Sequence, residues 1–282
     1  MEIFQKSEEK RLSSLNSSHK NMSKLILIAK NLLRPYKRKF KSFLRRMKVA
    51  PPVIQLFLGG EYETRFTLVN FPSLYSPIPG SPCFYDVGFY DPDGTCLGKK
   101  SIEINSYGSY ELLPSEFIGS HLPDYGIFTA KIRLKNIFIY RHLGKIRSHI
   151  YALFSDRAQT SFALVHPQTF INQPSDKNYQ WLSAISIDAR KVQKIIAFQP
   201  NPTSKCFKAK YYLLWDNSEK KIFAQIDVCI PPMGTKKIDW NLSALGISDG
   251  YISVGASCLP TGNGKPILFS YFKDGSFTGM HG

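Results

Sequence analysis

One pattern occurs twice in this chain. Phe154-Ser155, five residues, Ser161-Phe162, three residues and His166 recur as Phe269-Ser270, five residues, Ser276-Phe277, three residues and His281. The similarity continues upstream of each copy. Tyr85-Asp-Val-Gly-Phe-Tyr90 aligns with Tyr211-Tyr-Leu-Leu-Trp-Asp216, and each is followed by a polar turn, Asp91-Pro-Asp-Gly94 or Asn217-Ser-Glu-Lys220. Ile102-Glu-Ile104 aligns with Val228-Cys-Ile230, Gly108-Ser109 with Gly234-Thr235, and Leu112 with Ile238. Asp124-Tyr-Gly-Ile-Phe128 and Asp249-Gly-Tyr-Ile-Ser253 match with a one-residue slip. Self-similarity over about a hundred residues means that one structural unit is used twice. Any fold for the chain must therefore hold two such units.

The unit reads as β-structure. Phe57, Tyr62, Phe66, Leu68 and Phe71 lie in short runs that alternate with period two, as do Ile102/Ile104, Val228/Ile230 and Ile252/Val254. Asp-Pro-Asp-Gly and Lys273-Asp-Gly275 are hairpin signals, because glycine accepts the positive φ of such turns. The chain carries 20 Phe and 15 Tyr, residue types that suit half-buried pleated surfaces. About seven short strands per copy predict two tandem immunoglobulin-like antiparallel β-sandwiches, an all-β architecture. The Cys…Trp…Cys signature of true immunoglobulin domains is not present, so the likeness is one of architecture. The equivalence of the copies predicts that Phe154–His166 and Phe269–His281 form matching hairpins, with Phe162 and Phe277 at matching core positions.

The formal net charge of +16 is unevenly placed. Residues 1–49 hold 14 of the 37 Lys and Arg and 3 of the 21 Asp and Glu, so eleven of the sixteen net charges lie there. Residues 1–22 are polar and are expected to be a disordered tail, with Met22 a second possible start. Residues 23–49 predict a basic amphipathic helix capped by Ser23 and kinked or divided at Pro35. Leu25, Ile28, Ala29, Leu32, Tyr36, Phe40, Phe43, Leu44 and Met47 form its apolar face. Lys24, Lys30, Arg34, Lys37, Arg38, Lys39, Lys41, Arg45, Arg46 and Lys48 cover much of the rest, with no acidic residue among them. Such a helix suits an anionic membrane surface, with Phe40 and Phe43 in the interface and the cations at the headgroups. Nucleic acid, a calmodulin-like receptor, a transit function, or simple packing on the first sandwich with a solvated basic face are the competing readings. The remaining chain carries no basic stripe and no RNP, KH or zinc-finger pattern, which disfavours nucleic acid. Domains are expected at 50–171 and 179–282, divided by the polar stretch Asn172–Asn178.

Candidate chemistry is sparse. His166 and His281 are repeat-equivalent. If the two copies pack about a pseudo-twofold axis, both imidazoles and a carboxylate could hold a divalent metal. Against this, each histidine could simply tie down its own strand end. His149 follows Ser148 on a strand, so the two side chains point to opposite faces and cannot act together. His121 and His142 fall in expected loops. Asp91, Asp93, Asp124 and Asp249 sit in turns, where Asp is favoured for local hydrogen bonds. Thr261-Gly-Asn-Gly264 joins two strand-like segments and reads as a hairpin loop, not a phosphate cradle. Trp215 and Trp240 follow core-like alternation, while Trp181 opens the second copy.

The five cysteines, at 83, 96, 206, 229 and 258, form no closely spaced pair and occupy unmatched places in the repeat. They read as free, mostly buried thiols of a reducing compartment, with Cys96 and Cys258 the ones open to exposure. No stretch approaches the length of a membrane span, and Leu25–Leu33 is too short and is interrupted by Lys30. The expectation is a cytoplasmic, non-catalytic binding or scaffold protein attached peripherally to an anionic membrane, with a protein or glycan as further partner. The alternative is a metal-dependent or glycan-processing enzyme with its site around His166 and His281. The sequence itself assigns no cofactor.

Overall fold

A computed structural model describes residues 52–75, 81–134, 148–169, 179–183, 186–215, 221–259 and 265–281. All lie in one compact unit, Val49–Gly282. The expected tail 1–22, the basic helix 23–49 with its proposed membrane-binding residues, the 172–178 linker, His142 and the 261–264 loop lie outside the described residues. Among those described, no helix is long and apolar enough to cross a membrane.

The described residues are nearly all β. In chain order the strands are β1 (Val53–Leu58), β2 (Tyr62–Val69), β3 (Cys83–Tyr90), β4 (Cys96–Ile104), β5 (Ser109–Leu112), β6 (Tyr125–Leu134), β7 (His149–Asp156), β8 (Phe162–Val165), β9 (Gln168–Thr169), β10 (Tyr179–Leu182), β11 (Ile187–Asp188), β12 (Val192–Pro200), β13 (Phe207–Trp215), β14 (Ile222–Ile230), β15 (Thr235–Asn241), β16 (Tyr251–Leu259), β17 (Ile267–Phe272) and β18 (Phe277–His281). One short helix, α1 (Pro114–Ile118), follows β5.

Four antiparallel sheets result. The first half contains β4-β3-β6-β1-β9 and β5-β2-β7-β8; the second contains β10-β16-β13-β14, with β11 also on β16, and β15-β12-β17-β18. The two halves thus share one strand order, β1 to β8 corresponding to β10 and β12 to β18. Eight strands are common to both, one more than expected, and β9 and β11 are two-residue additions. β1 pairs with β6 rather than β2, whereas immunoglobulin constant domains place the first strand beside the second. The turns behave as their sequences require. Gly94 (φ 88°) closes the β3–β4 hairpin, and Gly275 (φ 89°) closes β17–β18.

Each sheet pair encloses an apolar core. The first is built around Leu56, Phe66, Phe89, Phe128, Ile132 and Phe154, the second around Ile195, Tyr211, Leu213, Trp240, Ile252 and Val254. The two are not independent. Ile196, Phe198, Ile267, Phe269, Tyr271 and Phe277, all from sheet β15-β12-β17-β18, belong to the first core, while Ile195, Ala197 and Leu268 of the same strands belong to the second. That sheet is buried on both faces. Its strands therefore read Ile195-Ile-Ala-Phe198 and Ile267-Leu-Phe269, continuous apolar runs without alternation. Burying one such side chain contributes about 1.5–3 kcal/mol. Repeat-equivalent phenylalanines meet across this seam: the Phe154 and Phe269 rings lie edge to face, centroids 5.2 Å apart.

A second seam is made of backbone. The Asp91–Gly94 turn lies against Pro231–Gly234, and the Thr235 amide donates to the Pro92 carbonyl at 2.9 Å. A Cβ on Gly94 would overlap the Pro232 carbonyl oxygen, and one on Gly234 would overlap that of Pro92.

Both halves also contain the same buried asparagine device. Asn70, after β2, donates through Nδ2 to the carbonyls of Ser81, Ile104 and Asn105 at 3.0–3.2 Å. Asn201, after β12, donates to those of Lys205, Ile230 and Pro231 at 2.7–3.1 Å. Their backbone amides donate to Gly108 and Gly234, and the residues before those glycines, Tyr107 and Met233, both have positive φ. One side chain thus satisfies three carbonyls where the chain leaves a sheet.

The ladders correct two expected alignments. Cys83 opposes Ile104 and Phe207 opposes Ile230, so Tyr85 corresponds to Ala209, and Tyr211 to Val87. The expected Tyr85–Tyr211 match is two residues out, a slip that preserves the face and so leaves no mark on the apolar pattern. The terminal hairpins do occupy equivalent sheet edges, but Phe154 opposes Ala163 whereas Phe269 opposes Gly279. That one-residue difference turns equivalent side chains to opposite faces. Phe277 is buried at 6% exposure and Phe162 stands out at 51%.

Candidate functional site

The two hairpins that end in the predicted histidines abut: a Cβ on Gly279 in β18 would come within 3.0 Å of the Ala163 Cβ in β8. His166 is exposed just past β8, its ring centroid 6.0 Å from that of Tyr151. The His281 backbone pairs with Ile267 at the end of β18, and its side chain lies outside the described residues. Among the described residues no three His, Cys, Asp or Glu side chains converge to hold a metal. His149 is structural: its ring stacks on Phe71 at 3.8 Å, and its backbone exchanges hydrogen bonds with the Tyr85 hydroxyl. Asp91 makes the local turn bonds expected of it, accepting from the Asp93 and Thr95 amides.

A ligand-sized space lies instead where the two halves meet. It is a cleft of about 530 Å³, lined from the first half by the β1–β2 turn with Glu61 and Tyr62, by Asp124 and Tyr125, and by Arg157. The second half supplies Lys194, Lys237 and Tyr271, with Leu58, Ile196 and Phe198 as apolar floor. This volume is in the range of small-molecule sites, about 300–1,000 Å³. A smaller hollow of about 350 Å³ shares Leu58, Gly60, Tyr62 and Arg157 and lies towards α1. The β1–β2 turn between them needs Gly60, which has φ 64° and would bring a Cβ within 2.8 Å of the Asp124 carboxylate.

Three cations and two carboxylates line the cleft. Lys237 is 3.7 Å from Asp239 at its rim. Lys194 is half-buried with its ammonium 4.8 Å from the Tyr271 ring centroid, and it has no carboxylate within ion-pair reach among the described residues. A cation over a phenol face is stabilised by the ring quadrupole while its remaining N–H donors stay available. Arg157 and Asp124 are exposed. Three phenols complete the lining. Burial raises the pKa of Tyr62, Tyr125 and Tyr271, and the half-buried Tyr62 and Tyr125 carry hydroxyls at the cleft. Tyr271 is 7% exposed, and its hydroxyl, wholly buried, makes no hydrogen bond of ordinary geometry. The Tyr62 phenol lies beside it and pushes its pKa further up.

No local sequence motif marks this cleft. Tyr62 sits in ordinary strand alternation, and no motif surrounds Lys194 or Lys237. Asn70 and Asn201 do carry a sequence signal: Asn70-Phe-Pro-Ser73 and Asn201-Pro-Thr-Ser204 each combine Asn, Pro and Ser at the end of a strand-like run, upstream of the matched Gly108 and Gly234. The cysteines are more open than expected. Cys83 is buried, and burial pushes its thiol up to about 12, but Cys96, Cys206 and Cys229 are exposed and Cys258 is intermediate.

No protein-family model and no curated protein matches the chain. Among solved structures, similarity was found to a β-glucuronidase of glycoside hydrolase family 2, with 12% identity over 80% of this chain and 23% of that one at a TM-score of 0.20. A putative β-galactosidase from Bacteroides fragilis is 9% identical over 84% of this chain and 34% of that one, TM-score 0.19. An exo-chitosanase from Amycolatopsis orientalis is 10% identical over 72% and 24%, TM-score 0.16. The chain spans between about a quarter and a third of these structures, and scores of this size assign neither a fold family nor an activity.

Proposed function

We propose that this chain is a non-catalytic binding protein of two immunoglobulin-like β-sandwich modules, joined through a shared apolar sheet and held at an anionic membrane by the basic helix 23–48. The likeness is meant architecturally: two antiparallel sheets face to face, used twice in one strand order. The observation that carries the binding role is the junction cleft, to which both halves contribute cations and phenols. Its lining suits a hydroxyl-rich or acidic ligand, a glycan or an acidic protein segment. Arg157 and Lys194 would meet carboxylates or sulfates, and the phenols would donate to hydroxyls. A cytoplasmic location with peripheral attachment goes with this reading.

Two measurements test it. The full chain should co-sediment with phosphatidylserine-containing vesicles in a salt-sensitive way. A variant carrying Lys37→Glu, Arg38→Glu, Lys39→Glu and Lys41→Glu should lose that binding, since each cation near such a surface contributes on the order of 1 kcal/mol. Equal pelleting of both proteins would remove the helix as an anchor. For the cleft, Tyr271→Phe removes a buried hydroxyl that lies beside the Tyr62 phenol in no hydrogen bond of ordinary geometry, so the variant should be at least as stable as the parent. A stability loss in Tyr271→Phe would mean that the hydroxyl is satisfied in the folded chain. Lys194→Ala should bind uronic-acid oligosaccharides more weakly than the parent, and equal binding would remove the cleft as the ligand site.

One observation favours a second reading: the same cleft holds two carboxylates, Glu61 and Asp124, and glycoside hydrolysis runs on a carboxyl pair. Turnover of chromogenic glycosides that is abolished by Glu61→Gln or Asp124→Asn would establish a glycan-processing enzyme. Stoichiometric metal lost in His166→Asn and His281→Asn would place the chemistry at the paired histidines instead.

A further inference from the structure

Cys206 and Cys229 are 23 residues apart, both exposed, and their sulfurs are 2.7 Å from each other. A disulfide bond is about 2.05 Å long, so closing one here asks for a movement of roughly 0.7 Å. The asparagine device explains the proximity. Asn201 Nδ2 binds the carbonyls of Lys205 and Ile230, the residues next to the two cysteines, at 2.8 and 3.1 Å. Thr203 Oγ1 holds the Lys205 carbonyl a second time at 2.8 Å. In the ladder Lys208 opposes Cys229, so Cys206, two residues earlier, lies diagonally across on the same face. One buried amide thereby positions both thiols. In the first half the equivalent places next to Ser81 and Ile104 are Pro82 and Glu103, so the same device is present there without the thiols.

We propose that Cys206 and Cys229 form a dithiol modification site, converted to an intramolecular disulfide by exchange with a low-molecular-weight disulfide of the glutathione class. One cysteine thiolate attacks a sulfur of the reagent, releasing one equivalent of its thiol and leaving a mixed disulfide. The second cysteine then attacks the protein sulfur of that adduct and releases the other equivalent. Two cysteine thiols are oxidised by two electrons, the reagent is reduced to two thiols, and the two cysteine protons end on them. The bond fastens the start of β13 to the end of β14, beside the turn where Thr235 meets Pro92. Cys96 and Cys258 are the internal controls, being accessible to different degrees but lying outside this pair.

The test uses the full chain, reduced, desalted and incubated with oxidised glutathione. The expected product has two fewer titratable thiols, an intact mass lower by two hydrogens, and a peptide pair linking Cys206 to Cys229. The melting temperature should rise by roughly 5 °C. Cys206→Ser and Cys229→Ser should each stop at a glutathione adduct on the remaining cysteine, while Cys96→Ser and Cys258→Ser should oxidise as the parent does. Circular dichroism of each serine variant confirms that it is folded. Stable separate adducts on Cys206 and Cys229 in the parent, or a crosslink through Cys96 or Cys258, would overturn the assignment.

Discussion

Counted back from its terminal asparagine, β2 presents Glu63, Arg65 and Thr67 on its outward row, and β12 presents Lys194, Ile196 and Phe198 at the same places. The first row faces solvent, with Arg65 and Glu63 paired at 2.7 Å, and the second is buried against the other half apart from Lys194 at the cleft. Both strands occupy the same position in sheets of the same order. A common topology therefore leaves the environment of a residue open. What a neighbouring half covers becomes apolar, and what it leaves open carries charge.

The sharpest way to break this comparison is at the backbone seam. Gly94→Ala and Gly234→Ala should each cost about 4 kcal/mol or more, because the new methyl meets a carbonyl held in a turn on the opposite half. Denaturant midpoints give the number. A change under about 1 kcal/mol would mean that the halves do not abut there. The outward rows come next. Phe198→Ala should cost about 3–4 kcal/mol through a cavity in the shared core, whereas Thr67→Ala should stay within about 0.5 kcal/mol. Equal costs would erase the distinction between the two sheets.

The asparagines should then separate the halves more finely. Asn201 also accepts through Oδ1 from the Thr203 amide, while Asn70 Oδ1 is buried without a partner. Asn201→Ala should therefore cost about 3 kcal/mol and Asn70→Ala about 2 kcal/mol, each by orphaning carbonyls. The reverse order would show that the two devices are not built alike.

The smallest effect concerns the terminal turns. The Thr160 hydroxyl holds the Asp156 carboxyl below its ordinary range, and the Ser276 hydroxyl does the same for Asp274. A depressed folded-state pKa gives stability that is present above the unfolded value, about 3.9, and lost as pH falls through the lower folded value. The gap in melting temperature between the parent and Asp156→Ala or Asp274→Ala should be full at pH 5–7 and close below about pH 4. A gap that widens on acidification would reverse the sign of the argument.

Much of the fold could be read locally. Turn glycines, period-two alternation and the repeated motif are properties of neighbouring residues, and Gly94, Gly275, Ile102/Ile104 and Phe154/Phe269 sit where those patterns place them. The exposed Phe162 shows the limit. Its sequence context matches that of Phe277, but hairpin register is set by how many residues the turn consumes, and one residue turns every later side chain over. The Tyr85 alignment failed for the complementary reason, since a two-residue slip costs the pattern nothing.

The cleft and the thiol pair could not be read at all. Tyr62, Lys194 and Tyr271 converge only because two sheets from distant parts of the chain pack together, and nothing in the flanking residues encodes that meeting. Cys206 and Cys229 meet through an amide side chain that reaches across a loop. The sequence alone determined the class of structure, the doubling of the unit and the placement of charge, because these follow from composition and short-range periodicity. Tertiary packing decided which copy of a shared sheet became interior, where a pocket opened and which sulfurs touched, because those depend on contacts between residues far apart in the chain.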